Sequence, residues 1–209
     1  MAQVTAIREV RGLISIDLDG MQWLRVRKEH FRKNALECGD CIDSDEYLDR
    51  IAAAQAADCY EAALTILDSA AQTQAGIVKK LTQKGFVRPA AEAAAQRLVD
   101  ARLIDDRDYA QRLAQSQLGK AAGVYAVRRK LRAKNLGEDD IEAVMSDFDD
   151  AQQIAACREA AAKIARKYAA LPPREARAKL PQALARRGFS WDTISACLSD
   201  FGGSADDFE

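Results

Sequence analysis

The chain has 209 residues, 48% of them apolar and 30% charged, with a formal net charge of −1. It is long enough to bury a sizeable core, yet no apolar run is long enough to span a bilayer and no secretory signal opens it, so neither a membrane-spanning nor an exported protein is expected. Five cysteines are an odd number and argue against a disulfide framework, which leaves a cytoplasmic, mostly helical protein as the expectation.

The first 42 residues follow a rule of their own. Val4, Ala6, Ile7, Val10, Leu13, Ile14, Ile16 and Leu18, then Trp23, Leu24 and Val26, mix alternation with short apolar runs. Asp19-Gly20 between such runs signals a hairpin, so residues 4–27 read as a small β element followed by a link. A helix opens at Asp43 or Ser44, where Asp43 and Glu46 resemble a capping box. No Gly or Pro intervenes before Ala71, so one long helix or two abutting helices join this element to the rest of the chain.

From there the chain repeats itself. LTQKGFVRPAAEAAAQRL from Leu81, LRAKNLGEDDIEAVMSDF from Leu131 and LARRGFSWDTISACLSDF from Leu184 align position by position, with starts 50 and 53 residues apart. Gly85, Asn135 and Gly188 are the residue types that tolerate the left-handed conformation that ends a helix. Phe86, Leu136 and Phe189 then supply the apolar contact of such caps. A second helix restarts at once: Ile141, Val144, Met145 and Phe148, and again Ile194, Cys197, Leu198 and Phe201, share one helical face. In the first copy Ala91, Ala94 and Ala95 precede Leu98, a thin face suited to close packing on a neighbour. A further helix lies upstream of each block, carrying Tyr109, Ala110, Leu113, Ala114 and Leu118 in the second copy.

The expected fold is therefore mainly α, a tandem array of three three-helix repeats preceded by a small N-terminal element containing a β-hairpin. Its boundaries read as the β element 1–42, a connecting helix 43–57, repeats at 58–105, 106–149 and 150–201, and a disordered acidic tail at 202–209. In the first repeat the helices fall near 58–68, 73–84 and 89–101, and in the third Pro172-Pro173 forces a break.

The small net charge conceals segregation. Arg128, Arg129, Lys130, Arg132 and Lys134 form a basic cluster, and from Glu138 to Asp150 seven acids follow without a Lys or Arg. The middle helices of the other repeats carry Lys79, Lys80 and Lys84, and Arg177, Lys179, Arg186 and Arg187. These twelve cations predict a basic ridge along the array, set against the plainer account that cations complement helix C-termini.

Catalytic constellations are poorly supported, and neither an enzyme nor a cofactor is expected. His30 is the single histidine, reads as an exposed surface residue, and leaves no pair for a two-histidine metal site. Cys38-Gly39-Asp40-Cys41 has the C-x-x-C spacing but no second pair, so a turn requiring Gly39 accounts for it. Asp105, Asp106 and Asp108 suit a helix start, and Gly119-Lys120 lacks the upstream glycine of a phosphate loop. An enzyme would require Cys38 and Cys41 to bind metal with Cys59 or His30.

The run Leu103-Ile104-Asp105-Asp106-Arg107-Asp108-Tyr109-Ala110, flanked by Lys84-Gly85-Phe86 and by Gly123, Val127, Leu131, Lys134, Asn135 and Leu136, resembles the RecX regulatory proteins of bacteria. The likeness covers about 62–201, and residues 4–48 resemble the N-terminal extension of some members. Two departures stand out. The Arg and Ser usual before the middle helix of the first repeat are replaced around 68–73, and Asn135 stands where glycine is usual.

The resemblance implies tandem three-helix repeats that bind the RecA filament on DNA, lodge in its groove, and restrain strand exchange and ATP hydrolysis without catalysing a reaction. It implies a role in DNA repair, homologous recombination and the SOS response, and a monomer is expected. The ridge would then face the DNA-bearing side of the filament or an acidic RecA surface, and the acidic stretch a basic one. The ridge also admits weak direct contact with single- or double-stranded DNA, the alternative being a non-specific DNA-binding repeat protein. A sequence-reading helix-turn-helix fits poorly, because the helix after Asn135 is acidic and the one after Gly85 is mostly alanine.

Overall fold

Three consecutive antiparallel strands open the chain: β1 (Ala2–Val10), β2 (Leu13–Leu18) and β3 (Met21–Arg27). The structure, a computed structural model, describes residues 1–201, so the tail expected to be disordered lies outside the described residues. It divides into two units, residues 1–105 and the chain from 106 on.

In the first unit both strand connections are two-residue turns with two left-handed residues, Arg11-Gly12 (φ 52° and 78°) and Asp19-Gly20 (φ 49° and 81°). That geometry matches the twist of paired strands. The sequence signals only the second turn, because Arg11 is not a turn-forming type; here the pairing of Val10 with Leu13 imposes its conformation. A short strand, β4 (Cys41–Ile42), adds to the outer edge of β1 and gives the order β3-β2-β1-β4. Val4, Ile14, Ile16, Leu18 and Val26 are buried in the core of this unit. The Gly39 turn (φ 102°) is tied to the sheet by its amide, which donates to the Val4 carbonyl at 2.8 Å.

The expected link between sheet and array holds a helical turn and a half, α1 (Lys28–Lys33). It buries His30, which is 1% exposed, and this corrects the expectation of a surface histidine. Nothing local dictates that burial: Lys28, Glu29, Arg32 and Lys33 are all exposed, and the ring is enclosed by tertiary packing that includes Phe86 at 6.3 Å between ring centroids.

Next comes α2 (Ser44–Ser69), a single 26-residue helix that runs without interruption through 57 and 58. Asp43 caps it, its carboxylate accepting from the amides of Asp45 and Glu46 at 3.0 and 3.2 Å. Tyr47, Ile51, Gln55, Cys59, Ala63 and Ile66 form its buried stripe. Two shorter helices, α3 (Gln74–Gln83) and α4 (Arg88–Asp100), complete the first repeat. The thin face expected of α4 is buried at Ala91, Ala94, Ala95 and Leu98, and the helix packs on both α2 and α3.

Sheet and repeat meet at the turn between α3 and α4. The Gly85 carbonyl accepts from the Arg27 amide at 3.3 Å and from the buried Gln55 side chain at 3.2 Å. The Gln55 carbonyl oxygen in turn accepts from the Val87 amide at 2.7 Å. One glutamine thus bonds backbone groups on both sides of a buried turn, and without it the Val87 amide would be left unsatisfied at a cost of about 1–3 kcal/mol.

The second unit holds α5 (Asp106–Leu118), α6 (Val124–Arg132), α7 (Glu138–Ser146), α8 (Asp150–Tyr168), α9 (Pro173–Arg186) and α10 (Trp191–Phe201). They form two further three-helix repeats. One core gathers Ala110, Ala114, Val127, Leu131, Leu136, Ile141 and Val144, and the other gathers Cys157, Ala160, Ala161, Leu184, Phe189, Ile194 and Cys197. Pro172 sits at the cap of α9 and Pro173 opens it, where the sequence predicts a break. Gly85, Asn135 and Gly188 all adopt the left-handed conformation, with φ of 86°, 55° and 88°.

The two repeats of this unit interlock through backbone. The Gly123 amide donates to the Arg187 carbonyl at 3.1 Å, and the Tyr125 amide donates to the Gly188 carbonyl at 3.0 Å. A Cβ on Gly123 would lie 2.3 Å from the Gly188 carbonyl carbon, so only glycine admits this approach. Ala121, from the second repeat, sits in the core of the third.

Candidate functional site

The twelve cations singled out in the sequence all lie on the middle helix of a repeat or at its end. Lys79 and Lys80 are on α3 and Lys84 is its C-cap. Arg128, Arg129, Lys130 and Arg132 are on α6, with Lys134 in the turn after it. Arg177, Lys179 and Arg186 are on α9 and Arg187 is its C-cap. A cation stands immediately before each of the three left-handed residues that follow a middle helix, Lys84 before Gly85, Lys134 before Asn135 and Arg187 before Gly188.

Within the second unit the Gly123–Arg187 and Tyr125–Gly188 hydrogen bonds bring the end of α9 against the start of α6. Arg186 and Arg187 therefore stand near the first turn of α6, and the cations of α6 continue along that helix. At 1.5 Å per residue, Arg132 lies roughly 12 Å beyond Val124 along the axis.

Part of this charge is cancelled inside the molecule. Arg128 pairs with Glu142, Nη2 to Oε2 at 3.2 Å, and Arg132 pairs with Glu138, Nε to Oε2 at 3.3 Å. The hydrogen bond from Arg132 holds the Glu138 carboxyl below its usual range. Lys179 pairs with Glu175 one helical turn away, whereas Lys130 donates to the neutral Gln117 side chain at 3.0 Å and keeps its charge. Two of the acids expected to meet a basic partner thus answer the chain's own arginines. The signal was in the numbering: Arg132 and Glu138 lie three residues either side of Asn135, and Arg128 and Glu142 lie seven either side. A tight turn between two packed helices brings such positions face to face.

Among the described residues, Lys79, Lys80, Lys84, Arg129, Arg177, Arg186 and Arg187 form no ion pair. All are exposed or half-exposed.

Two exposed aromatics escaped the sequence reading. Tyr125 and Trp191 are 61% and 63% exposed, at the first turns of α6 and α10, next to the Gly123–Gly188 contact. Tyr125 falls off the apolar stripe of Val124, Val127 and Leu131, which is the pattern that could have flagged it. Cys38 and Cys41 are both exposed, and Cys59, Cys157 and Cys197 are buried. No helix among the described residues is long and apolar enough to cross a membrane.

Comparison with known proteins agrees with this architecture. Residues 150–198 match the family domain described as RecX, third three-helix domain, which corresponds to α8, α9 and α10. The chain is 29% identical over 195 residues to the regulatory protein RecX of Limosilactobacillus reuteri (strain DSM 20016), spanning 91% of this chain and 73% of that protein. It is 31% identical over 147 residues to the regulatory protein RecX of Trichlorobacter lovleyi, spanning 67% of this chain and 93% of that one. A crystal structure of regulatory protein RecX superposes with a TM-score of 0.65 at 27% identity, over 95% of this chain and all of the other. With a relative above 30% identity matched over nearly its whole length, and with the fold shared, the chain belongs to the RecX family of regulatory proteins.

Proposed function

We propose that this protein binds the RecA filament on DNA and restrains its recombinase and ATPase activities, as a monomeric cytoplasmic regulator that catalyses no reaction of its own. Family membership supplies the regulatory role. The observation that carries the reading further is the recurrence of a cation before the left-handed residue that follows each middle helix, at Lys84, Lys134 and Arg187, with additional cations on the same helices. Capping of the helix dipole explains one such residue, but Arg129 and Arg186 are exposed and unpaired beyond that need. A repeated positive feature suits a partner that is itself repetitive and bears phosphates or acidic side chains.

The partner-facing residues of this reading are Lys79, Lys80, Lys84, Arg129, Lys130, Lys134, Arg177, Arg186 and Arg187, with Arg128, Arg132 and Lys179 contributing through charges already paired with the chain's own acids. Reversing Arg129, Arg186 and Arg187 to Glu should weaken association with RecA filaments and flatten its dependence on salt. Binding that is unchanged in both respects sinks the assignment of this surface.

A second reading, direct binding of single-stranded DNA, is favoured by one observation. Exposed Tyr125 and Trp191 belong to the segments that the backbone joins at Gly123 and Gly188, as do Arg186 and Arg187, and stacking on aromatic rings contributes about 1–3 kcal/mol per base. Titration of labelled single-stranded DNA in the absence of RecA separates the two: saturation at the concentrations that inhibit RecA would favour the second.

A further inference from the structure

His30 is the one histidine of the chain and is buried, yet neither of its ring nitrogens makes a hydrogen bond among the described residues. A buried polar group without a partner costs about 1–3 kcal/mol, so its surroundings call for an explanation. Nε2 faces two carboxylates, Asp58 Oδ2 at 3.3 Å and Glu29 Oε1 at 3.8 Å. Asp58 comes from α2 and Glu29 from α1, and both side chains are about half exposed.

We propose that His30, Glu29 and Asp58 form a binding site for a first-row divalent metal ion of nitrogen and oxygen preference, such as zinc, which fastens α1 to α2. The three donor atoms lie within 4.8 Å of one another. In a tetrahedral zinc site with bonds near 2.0–2.1 Å, neighbouring ligand atoms are separated by about 3.4 Å, and the two separations from Nε2 bracket that edge. An imidazole nitrogen with two carboxylate oxygens is a donor set for zinc, manganese or cobalt rather than for a soft ion. Their partial exposure leaves a path for the ion and room for water at the fourth position.

The protonation state of the ligand agrees. Burial pushes His30 below its ordinary value, more than Asp58 and Glu29 raise it, with Arg27 and Lys33 acting in the same direction as burial. Burial thus favours the neutral ring, the form that coordinates metal. Arg27 donates to the same Glu29 Oε1 at 2.7 Å, and its guanidinium is stacked over Phe86 at 5.0 Å. It orients the carboxylate while leaving further lone pairs on it, and Asp58 supplies the less neutralised charge. A bound cation would give Nε2 the partner it lacks and would link the first helical turns after the sheet to the middle of α2.

The test uses the full chain carrying Cys38→Ser and Cys41→Ser, so that the exposed thiols cannot hold the ion. Zinc chloride is titrated by calorimetry, and thermal unfolding is followed with and without zinc. The expected result is one zinc per chain with an upward shift in melting temperature, and a Kd weakened at least about tenfold by either Glu29→Gln or Asp58→Asn. Those two side chains are exposed, so the variants fold even if a change at His30 does not. Three outcomes overturn the proposal: no zinc bound at micromolar concentration, binding that disappears with the cysteines, or binding and stabilisation that survive both carboxylate changes.

Discussion

Arg128 grips Glu142 with Nη1 and Nη2 of its guanidinium although the two residues stand on different helices, seven positions either side of the Asn135 turn. The same turn sets Arg132 against Glu138. Half of the basic cluster on α6 is therefore screened by the acidic stretch after it. Replacing both acids, Glu138→Gln with Glu142→Gln, should release these arginines, tighten binding to DNA-borne filaments, and steepen the salt dependence by up to about two in log–log slope. Melting should change little, because exposed ion pairs contribute little to stability. An unaltered slope would place the partner surface away from α6.

The contact of Gly123 with Gly188 predicts a sharp intolerance. A Cβ on Gly123 has backbone atoms 2.3 Å away, and backbone cannot move aside as a flexible side chain can. Gly123→Ala should cost about 3 kcal/mol or more, read by denaturant unfolding. A loss below about 1 kcal/mol, the scale of a tolerated core change, would mean that the repeats do not dock as described.

Asn135 differs from its counterparts. Its φ of 55° calls for a residue that tolerates the left-handed region, but it is exposed where Gly85 and Gly188 are buried. Asn135→Gly should leave stability nearly unchanged, and Asn135→Val should lower it by about 1 kcal/mol or more. Equal effects of the two substitutions would argue against the left-handed turn.

These turns were legible in the sequence because a left-handed residue restricts the side chain at one position, with no help from tertiary structure. The helices around them were legible because Val144 or Ile194 repeats at helical spacing. The features that the sequence does not disclose depend on distant packing. Arg11 adopts a turn because two strands pair on either side of it, and His30 is buried although every neighbour in its helix that carries a charge points to solvent. The candidate surface was legible only in part: the cations were evident, the pairing of Arg128 and Arg132 with Glu142 and Glu138 needs the α6–α7 turn to be closed, and the exposure of Tyr125 depends on how α6 packs.

The thiols separate into two classes. Burial pushes Cys59 up to about 11 and Cys157 up to about 12, so at pH 8 the thiolate fraction of Cys59 is about a thousandth. Iodoacetamide should modify exposed Cys38 and Cys41 rapidly in the native protein and all five cysteines only in denaturant, as read by mass spectrometry. Because the folded state holds these protons more tightly than the unfolded one, with its thiol value near 9.0, stability should fall as pH rises from there toward 11. Rapid native labelling of Cys59 would contradict the burial of the α2 stripe.

The proposed restraint of RecA acts on the filament rather than by competition for DNA. The most direct measurement is the single-stranded-DNA-dependent ATPase of the cognate RecA, with substoichiometric amounts of this protein and a parallel assay of its binding to the DNA alone. Inhibition is expected at concentrations far below those that coat the DNA, relieved by reversing Arg129, Arg186 and Arg187 to Glu. Undiminished ATPase at those concentrations, or inhibition that appears only once the DNA is saturated, would contradict it.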